Sequence, residues 1–324
     1  MTARATERVL VSGMGGELGV RIANLLAAEP TVAAVRGIDL DPPRRRFGDC
    51  QFFRVDPRDR KRVVEVVREF EPTTVVHLGV YEPNARTGVT LAEELNEAGT
   101  VNVLGAAAES TALARIVVRS GIEVYGRRRG APTRPDESCP PDPTSPFGRQ
   151  LVRIEELAID AGRVAGAAVT SLRFAPVTGG GMASPLGRYL RLPFVAVDPL
   201  SDPTFCLLHQ TDAATALVAA VRRGPDAPVN VVGDGAITPM QAARLGGRLP
   251  IPVLGPQWAG AHLAAELLGA PLPAHVRELL TRGRVADGGA CGALLGFEPA
   301  WSTPDVVRDL YDWASVVYLQ PVPS

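Results

Sequence analysis

The chain has 324 residues with 34 Lys+Arg against 35 Asp+Glu, a formal net charge of −1. That balance excludes the basic face a nucleic acid or other polyanion needs, and no apolar run approaches the ~18 residues of a membrane span. A single lysine, Lys61, stands among arginines, so any chemistry that needs a lysine must use that one or do without.

The length suits one large α/β domain, or a major domain with a smaller one. Cys50, Cys139, Cys206 and Cys291 are scattered without metal-ligand spacing. They are expected as free thiols in a reducing cytoplasm, with no metal site. The first eight residues carry no apolar signal core.

Short β-branched runs alternate with amphipathic alanine- and leucine-rich stretches, the pattern of βαβ units on a parallel sheet. Residues 9–12 read as a first strand, 18–28 as its helix, 32–38 as a second strand and 52–55 as a short third. Residues 58–70 are predicted helical, with Val63, Val66, Val67 and Phe70 on one face. Strand four falls at 74–78, a long helix at 90–109 and strand five at 115–119. The stretch 131–146 holds six prolines and must be a loop. A helix over 147–165 and a sixth strand at 168–174 complete the regular part. After Gly179 the rhythm loosens, with short strands at 205–208 and 229–231. The division this predicts is residues 1–180 for a first domain and 181–324 for a smaller, interleaved lobe.

Between the first strand and helix stands Gly13-Met-Gly15-Gly16-Glu17-Leu18-Gly19. A tight turn, close backbone approach to a pyrophosphate and close packing of helix on strand each call for an absent side chain. Asp39 ends strand two, 20 residues past Gly19, where a carboxylate accepts hydrogen bonds from the adenosine ribose hydroxyls. NAD is therefore favoured over NADP, although Arg44, Arg45 and Arg46 stand near enough to meet a 2′-phosphate.

The glycine spacing resembles that of the extended short-chain dehydrogenase/reductases, the NAD-dependent epimerase/dehydratase family, and further motifs extend the likeness along nearly the whole chain. Asp56-Pro57, His77-Leu78-Gly79, Asn96 with Gly99-Thr100, Glu123-Val-Tyr125-Gly126, and Leu172-Arg173 through Pro176 to Gly179 stand where the family has its landmarks. So do Leu208-His209 through Asp212 and Val229-Asn230 through Gly233. The resemblance implies a Rossmann-type, doubly wound parallel sheet with a smaller C-terminal α/β substrate lobe. It also implies an NAD site formed by Gly13, Gly15, Gly16, Glu17, Leu18, Gly19, Asp39, Arg44, Asp56, Pro57, Leu78, Gly79, Val80, Asn96, Arg119, Ser120, Ala175, Pro176 and Val177. A homodimer through helices 90–109 and 147–165 is the implied assembly, and a nucleotide sugar or other small molecule the implied second ligand.

The same resemblance locates the family's redox triad. A Tyr-x-x-x-Lys pair on the helix after strand five, with a Ser or Thr before it, moves the substrate's proton while hydride passes to or from the nicotinamide. Here Phe147 takes the tyrosine's position, Leu151 the lysine's and Gly121 the hydroxyl's. Lys61 belongs to the helix after strand three, and none of Tyr81, Tyr125, Tyr189, Tyr311 and Tyr318 lies on the helix from 147. Ordinary epimerase or dehydrogenase chemistry is therefore not expected.

Glu123 stands where related dehydratases carry a catalytic glutamate, while Ile122 replaces the preceding aspartate. Tyr81 leaves strand four at the carboxyl edge where ligands bind in such sheets. Glu123 and Tyr81 are the candidate acid/base groups of an altered chemistry. His209 and Asp212 read as structural groups at a helix start, and Arg127, Arg128 and Arg129 as a solvated run able to meet an anion. Tyr189 and Arg191 fall in the second lobe without a specific ligand pattern. The expectation is a cofactor- or metabolite-binding, sensing protein, against an enzyme of altered chemistry or a scaffold that binds neither ligand. Restoring Ser, Tyr and Lys at 121, 147 and 151 is expected to tighten NAD binding.

Overall fold

The computed structural model describes residues 6–45 and 47–312; Arg46 and Tyr318 lie outside them. In chain order the first half comprises β1 (Glu7–Ser12), α1 (Glu17–Ala27), β2 (Val32–Asp39), β3 (Cys50–Arg54), α2 (Arg60–Phe70), β4 (Thr74–His77), α3 (Val89–Ala108) and β5 (Arg115–Gly121). A single 3-10 turn (Ile122–Tyr125) follows, then α4 (Pro146–Ala165), β6 (Ala168–Phe174), β7 (Val177–Thr178), α5 (Pro185–Leu190), β8 (Phe194–Val197) and β9 (Leu208–His209). The remainder is α6 (Gln210–Arg223), β10 (Ala227–Val231), α7 (Pro239–Leu245), β11 (Leu249–Pro252), α8 (Gln257–Leu267), α9 (Ala274–Arg282), α10 (Ala290–Leu295) and α11 (Thr303–Asp312).

Seven strands form one parallel sheet in the order β10-β6-β5-β4-β1-β2-β3. The reversal of strand order beside β1 opens a crevice at the carboxyl ends of the strands, where such sheets bind ligands. β1, β4 and β5 are almost continuously buried, as expected of strands covered by helices on both faces.

α6 packs on α1, and β10 supplies the seventh strand, so both return to the first core. A second apolar cluster gathers Leu186, Tyr189, Val195, Phe205, Ile237, Val276, Leu279 and Val306 into the smaller lobe. The strand expected at 229–231 thus belongs to the main sheet. Of the segment expected at 205–208, only Leu208–His209 is strand, while Phe205 makes isolated bridges to Ile237 and Arg284.

Polar groups inside the core are satisfied across elements. Glu155 on α4 accepts from Ser120 Oγ and receives a two-armed ion pair from Arg173 on β6, at 3.0 and 2.7 Å. Arg173 also donates to the Tyr125 hydroxyl, which donates to Asn230 on β10. This network ties α4 and three strands into one register; Ser120 Oγ is engaged with Glu155, and the residue also lines the cavity at the inner end of the crevice.

His77, 1% exposed, bridges β1 and α3 through Ser12 Oγ (2.7 Å) and Thr100 Oγ1 (3.0 Å). Burial pushes its imidazole down to about 4 from an ordinary 6.5. The unfolded chain therefore takes up a proton in that interval that the native chain refuses. Stability is full above the unfolded value and falls as pH drops from about 6.5 towards 4, by up to about 3 kcal/mol. Urea unfolding across this window checks it: His77→Gln is expected to flatten the slope, and an equal slope in the variant would refute the assignment.

Candidate functional site

The turn between β1 and α1 lies directly on β4. Gly13 has φ +77°, and a Cβ there would come 2.6 Å from the carbonyl carbon of Leu78. A Cβ on Gly19 would meet the Gly13 carbonyl oxygen at 2.5 Å, so α1 can sit this close to β1 only without a side chain. α1 starts at Gly16 with no side-chain cap, leaving an open helix N-terminus towards the crevice.

Beside it, Asp39 is 4% exposed and grips the turn, its Oδ2 accepting from the Gly15 N–H at 2.8 Å. Its Oδ1 accepts from the Tyr81 hydroxyl at 2.9 Å. Burial raises the Asp39 pKa, and the Tyr81 bond, the nearby Arg86 and the Gly15 N–H act against that rise. Arg86 reaches Asp41 at 3.0 Å, with its guanidinium close over Gly16.

This crevice has a volume of about 430 Å³. Of the expected cofactor residues, Gly13, Gly15, Gly16, Glu17, Leu18, Gly19, Asp39, Arg44, Leu78, Val80, Arg119 and Val177 line it. Pro57 and Gly79 line a small recess behind Asp39 and Tyr81. Asp56 is paired with Arg58 at 2.8 Å, which holds its carboxyl below the usual range. Asn96 brackets the Tyr81 backbone from both sides. Ala175 and Pro176 face a second cavity deeper in the crevice.

Gly121, Phe147 and Leu151 all line that inner cavity, although β5 and two successive turns of α4 supply them. No hydroxyl or ammonium stands at any of the three positions. Glu123, 5% exposed, fills the space instead: a Cβ on Gly121 would lie 2.3 Å from its Oε2. Restoring a serine there collides with this carboxylate, so the change is not the simple repair the aligned motif suggests. Glu123 Oε1 is 3.0 Å from Arg284 Nη1, a charge contact not aligned as a hydrogen bond. Arg284, 2% exposed, donates through Nη2 to Glu278 Oε2 at 2.6 Å, and Glu278 also accepts from the Thr144 hydroxyl.

Tyr81 does not join Glu123. Beyond β4 the chain turns towards the end of β2, which carries the phenol onto Asp39. Burial and then the Asp39 charge push its pKa far up, so it holds its proton and donates, rather than exchanging it.

Other polar groups of the inner cavity come from places the aligned motifs do not mark. Glu82 follows Tyr81, and its Oε1 lies 3.1 Å from Nε2 of His275 on α9. The His275 ring packs on Phe147 with centroids 4.8 Å apart. Arg119 donates to the Val80 carbonyl at 3.1 Å and lines both crevice and cavity, as do Glu82 and Val177. Burial lowers the Arg119 pKa, while Glu82 and Glu123 pull it up. A residue such as His275 has only its type to mark it, since no spacing links α9 to α4.

The remaining candidates are tied into the scaffold. Arg127 donates to the Arg282 carbonyl, and Arg128 pairs with Asp142 at 2.9 Å. His209 caps α6 and stacks on Trp301, whose N–H Asp212 accepts. Tyr189 donates to the Ala196 carbonyl, and Arg191 to that of Leu310. Among the described residues no group of three or more His, Cys, Asp or Glu could hold a metal, and no helix is long and apolar enough to cross a membrane.

The sequence profile of the NAD dependent epimerase/dehydratase family matches residues 9–233. The chain belongs to that family. The uncharacterized protein Rv0501 of Mycobacterium tuberculosis is 32% identical over 312 residues, covering 94% of this chain and 83% of that one. The UDP-glucose 4-epimerase of Azospirillum brasilense is 28% identical over 196 residues, 57% of this chain and 52% of the other. In fold, the chain is similar to the UDP-glucose 4-epimerase of Thermotoga maritima with UDP-glucose (TM-score 0.74, 18% identity, 94% and 98% of the two chains). It is also similar to that of Thermus thermophilus in complex with NAD (0.72, 24%, 94% and 98%). Family membership makes the seven-strand sheet and its glycine turn a dinucleotide-binding fold.

The shared space at Gly121 gives a direct test. Gly121→Ser alone is expected to cost about 1–3 kcal/mol, by displacing Glu123 and leaving buried charge unpaired. In a Glu123→Ala background the same serine should cost under about 0.5 kcal/mol. A double-mutant cycle by urea unfolding measures this, and additive costs would contradict the contact.

Proposed function

We propose that this chain binds NAD in the crevice over the glycine turn and uses it as a sensed ligand, without the family's tyrosine–lysine chemistry. The observation that carries the reading is the Asp39 carboxylate, fixed between the Gly15 N–H and the Tyr81 hydroxyl beside an uncapped helix N-terminus. That arrangement suits a ribose diol on Asp39 and a pyrophosphate on the amides of the turn, with Arg86 and Arg44 close by. A 2′-phosphate would approach the Asp39 and Asp41 carboxylates, which favours NAD over NADP.

Bound nicotinamide supplies hydride acceptance or donation; the protein must supply the proton route. Gly121, Phe147 and Leu151 converge at the inner cavity with no group that can donate or accept a proton, which supports loss of the ordinary route. The cavity is also only about 30 Å³, room for one or two waters and not for a sugar ring. A nucleotide sugar such as the UDP-glucose of the Thermotoga relative would require the lobe carrying α9 to withdraw. An enzyme of altered chemistry is the second reading, favoured by Glu123 lining that cavity. We further propose a homodimer through α3 and α4, which pack together and leave Val101, Ile159 and Val164 exposed.

Calorimetry tests the reading. NAD is expected to bind at micromolar affinity and NADP at least about tenfold more weakly. Asp39→Asn should weaken NAD about 10- to 100-fold by removing charge-assisted bonds to the diol. No reduced cofactor should accumulate on adding UDP-glucose. Absence of NAD binding would sink the proposal, and steady turnover would overturn its sensing half.

A further inference from the structure

Arg86 is marked by no motif, yet it stands over the open glycine turn. A Cβ on Gly16, the N-cap of α1, would lie 3.3 Å from Arg86 Nη1, the nearest atom to it. Arg86 Nη2 donates to Asp41 Oδ2 at 3.0 Å, and the two side chains are 32% and 57% exposed. An ion pair so open to water contributes little to stability, so the guanidinium can leave Asp41 at small cost. Arg45, on the same side of the crevice, is already paired with Glu17 at 3.5 Å.

The loop that presents Arg86 is held from the smaller lobe. Residues 83–87 make a tight turn, with a bridge between Pro83 and Thr87. Asn84 has φ +60°, and its N–H donates to the Thr87 carbonyl at 2.9 Å. Arg188 on α5 grips that turn: its Nη1 donates to the Ala85 carbonyl at 3.0 Å and its Nη2 to that of Asn84. These two carbonyls immediately precede Arg86, so their anchor sets how the Arg86 side chain leaves the turn. α5 itself packs into the core of the smaller lobe through Leu186, Tyr189 and Leu190. Ala85 and Arg86 both line the dinucleotide crevice.

We propose that Arg86 binds the pyrophosphate of the dinucleotide and that Arg188 is its positioning residue, so that phosphate affinity depends on the contact of α5 with the loop after β4. This rests on the reading that NAD lies over the glycine turn. A pyrophosphate seated on the amides at the start of α1 meets the guanidinium that already stands above Gly16. Its two charges and paired oxygens match the planar fork of an arginine, which a neutral side chain does not reproduce and a lysine reproduces only in charge. Bound phosphate thus draws Arg86 away from Asp41. The adenosine end takes no part in this contact, because its diol belongs to Asp39.

Calorimetry with NAD and ADP, and ligand-observed NMR with adenosine, test it. Arg86→Gln should weaken NAD and ADP about 10- to 100-fold, the range of a lost charge-assisted bond, and leave adenosine within about twofold. Arg86→Lys should recover part of that loss. Arg188→Gln should weaken NAD and ADP in the same sense with adenosine unmoved, and should add nothing in an Arg86→Gln background. Equal losses for all three ligands in Arg86→Gln, or no loss for any, overturn the phosphate contact. Additive losses in the double variant overturn the positioning role of Arg188. Should Arg188→Gln fail to fold, Arg188→Lys enters the same cycle, and additive losses or an unchanged NAD affinity there overturn that role. If the wild type binds none of the three ligands, the NAD-binding reading falls and this inference with it. If it binds all three and Arg86→Gln leaves the ratio of ADP to adenosine affinity unmoved, only the role of Arg86 is lost.

Discussion

The close approach of the β1–α1 turn to β4 governs much of what this structure can do. Gly13 rests on the Leu78 backbone and Gly19 on Gly13 itself, at distances that leave no room for a Cβ. That packing brings the open end of α1 to the crevice and places the Gly15 N–H within reach of Asp39. A larger side chain at either glycine would lift the helix, open the turn and release the carboxylate. The open turn of this dinucleotide-binding fold is thus a consequence of backbone contact, with Asp39 and Tyr81 holding the result in place.

At the other end of the crevice the governing constraint is buried charge. Glu123 and Arg284 are buried and Glu278 is largely so, a cost that is offset only while all three remain together. Gly121 makes room for the Glu123 carboxylate, and α9 brings Glu278 with Arg284 just beyond it. The space beside Gly121, Phe147 and Leu151 is therefore neither empty nor simply apolar. It holds an ionic cluster that joins the smaller lobe to β5, with Glu82–His275 as a second tie across the same gap. Opening the lobes would separate Glu123 from Arg284 and Glu82 from His275, which couples the inner cavity to the geometry of the dinucleotide crevice.

Residues at the ends of regular elements were legible, because strand periodicity and turn chemistry fix where they emerge. Asp39 ends β2, the glycines occupy the first crossover, and Gly121, Phe147 and Leu151 converge as the aligned motif implies. Tyr81 emerges at the expected edge of the sheet and lines the crevice, but its turn to Asp39 rather than to Glu123 depends on the path of the loop. The bond of Ser120 Oγ to Glu155 on α4 also depends on long-range packing, while the residue still lines the inner cavity. His275, Arg284 and Glu278 had no local signal at all, being ordinary polar residues on and beside a short helix.

By itself, the sequence determined the parallel sheet, the glycine turn, a carboxylate at the end of β2 and the lack of a hydroxyl or ammonium at positions 121, 147 and 151. Each of these follows from residue type at a place that short-range periodicity defines. Only the tertiary structure decided what fills the space beside Gly121, Phe147 and Leu151, where Tyr81 points, and how the chain after residue 180 returns to complete the sheet. Those outcomes depend on α9 and β10 packing against elements distant in sequence. Such contacts are selected by shape and charge across the whole core, and no local spacing records them.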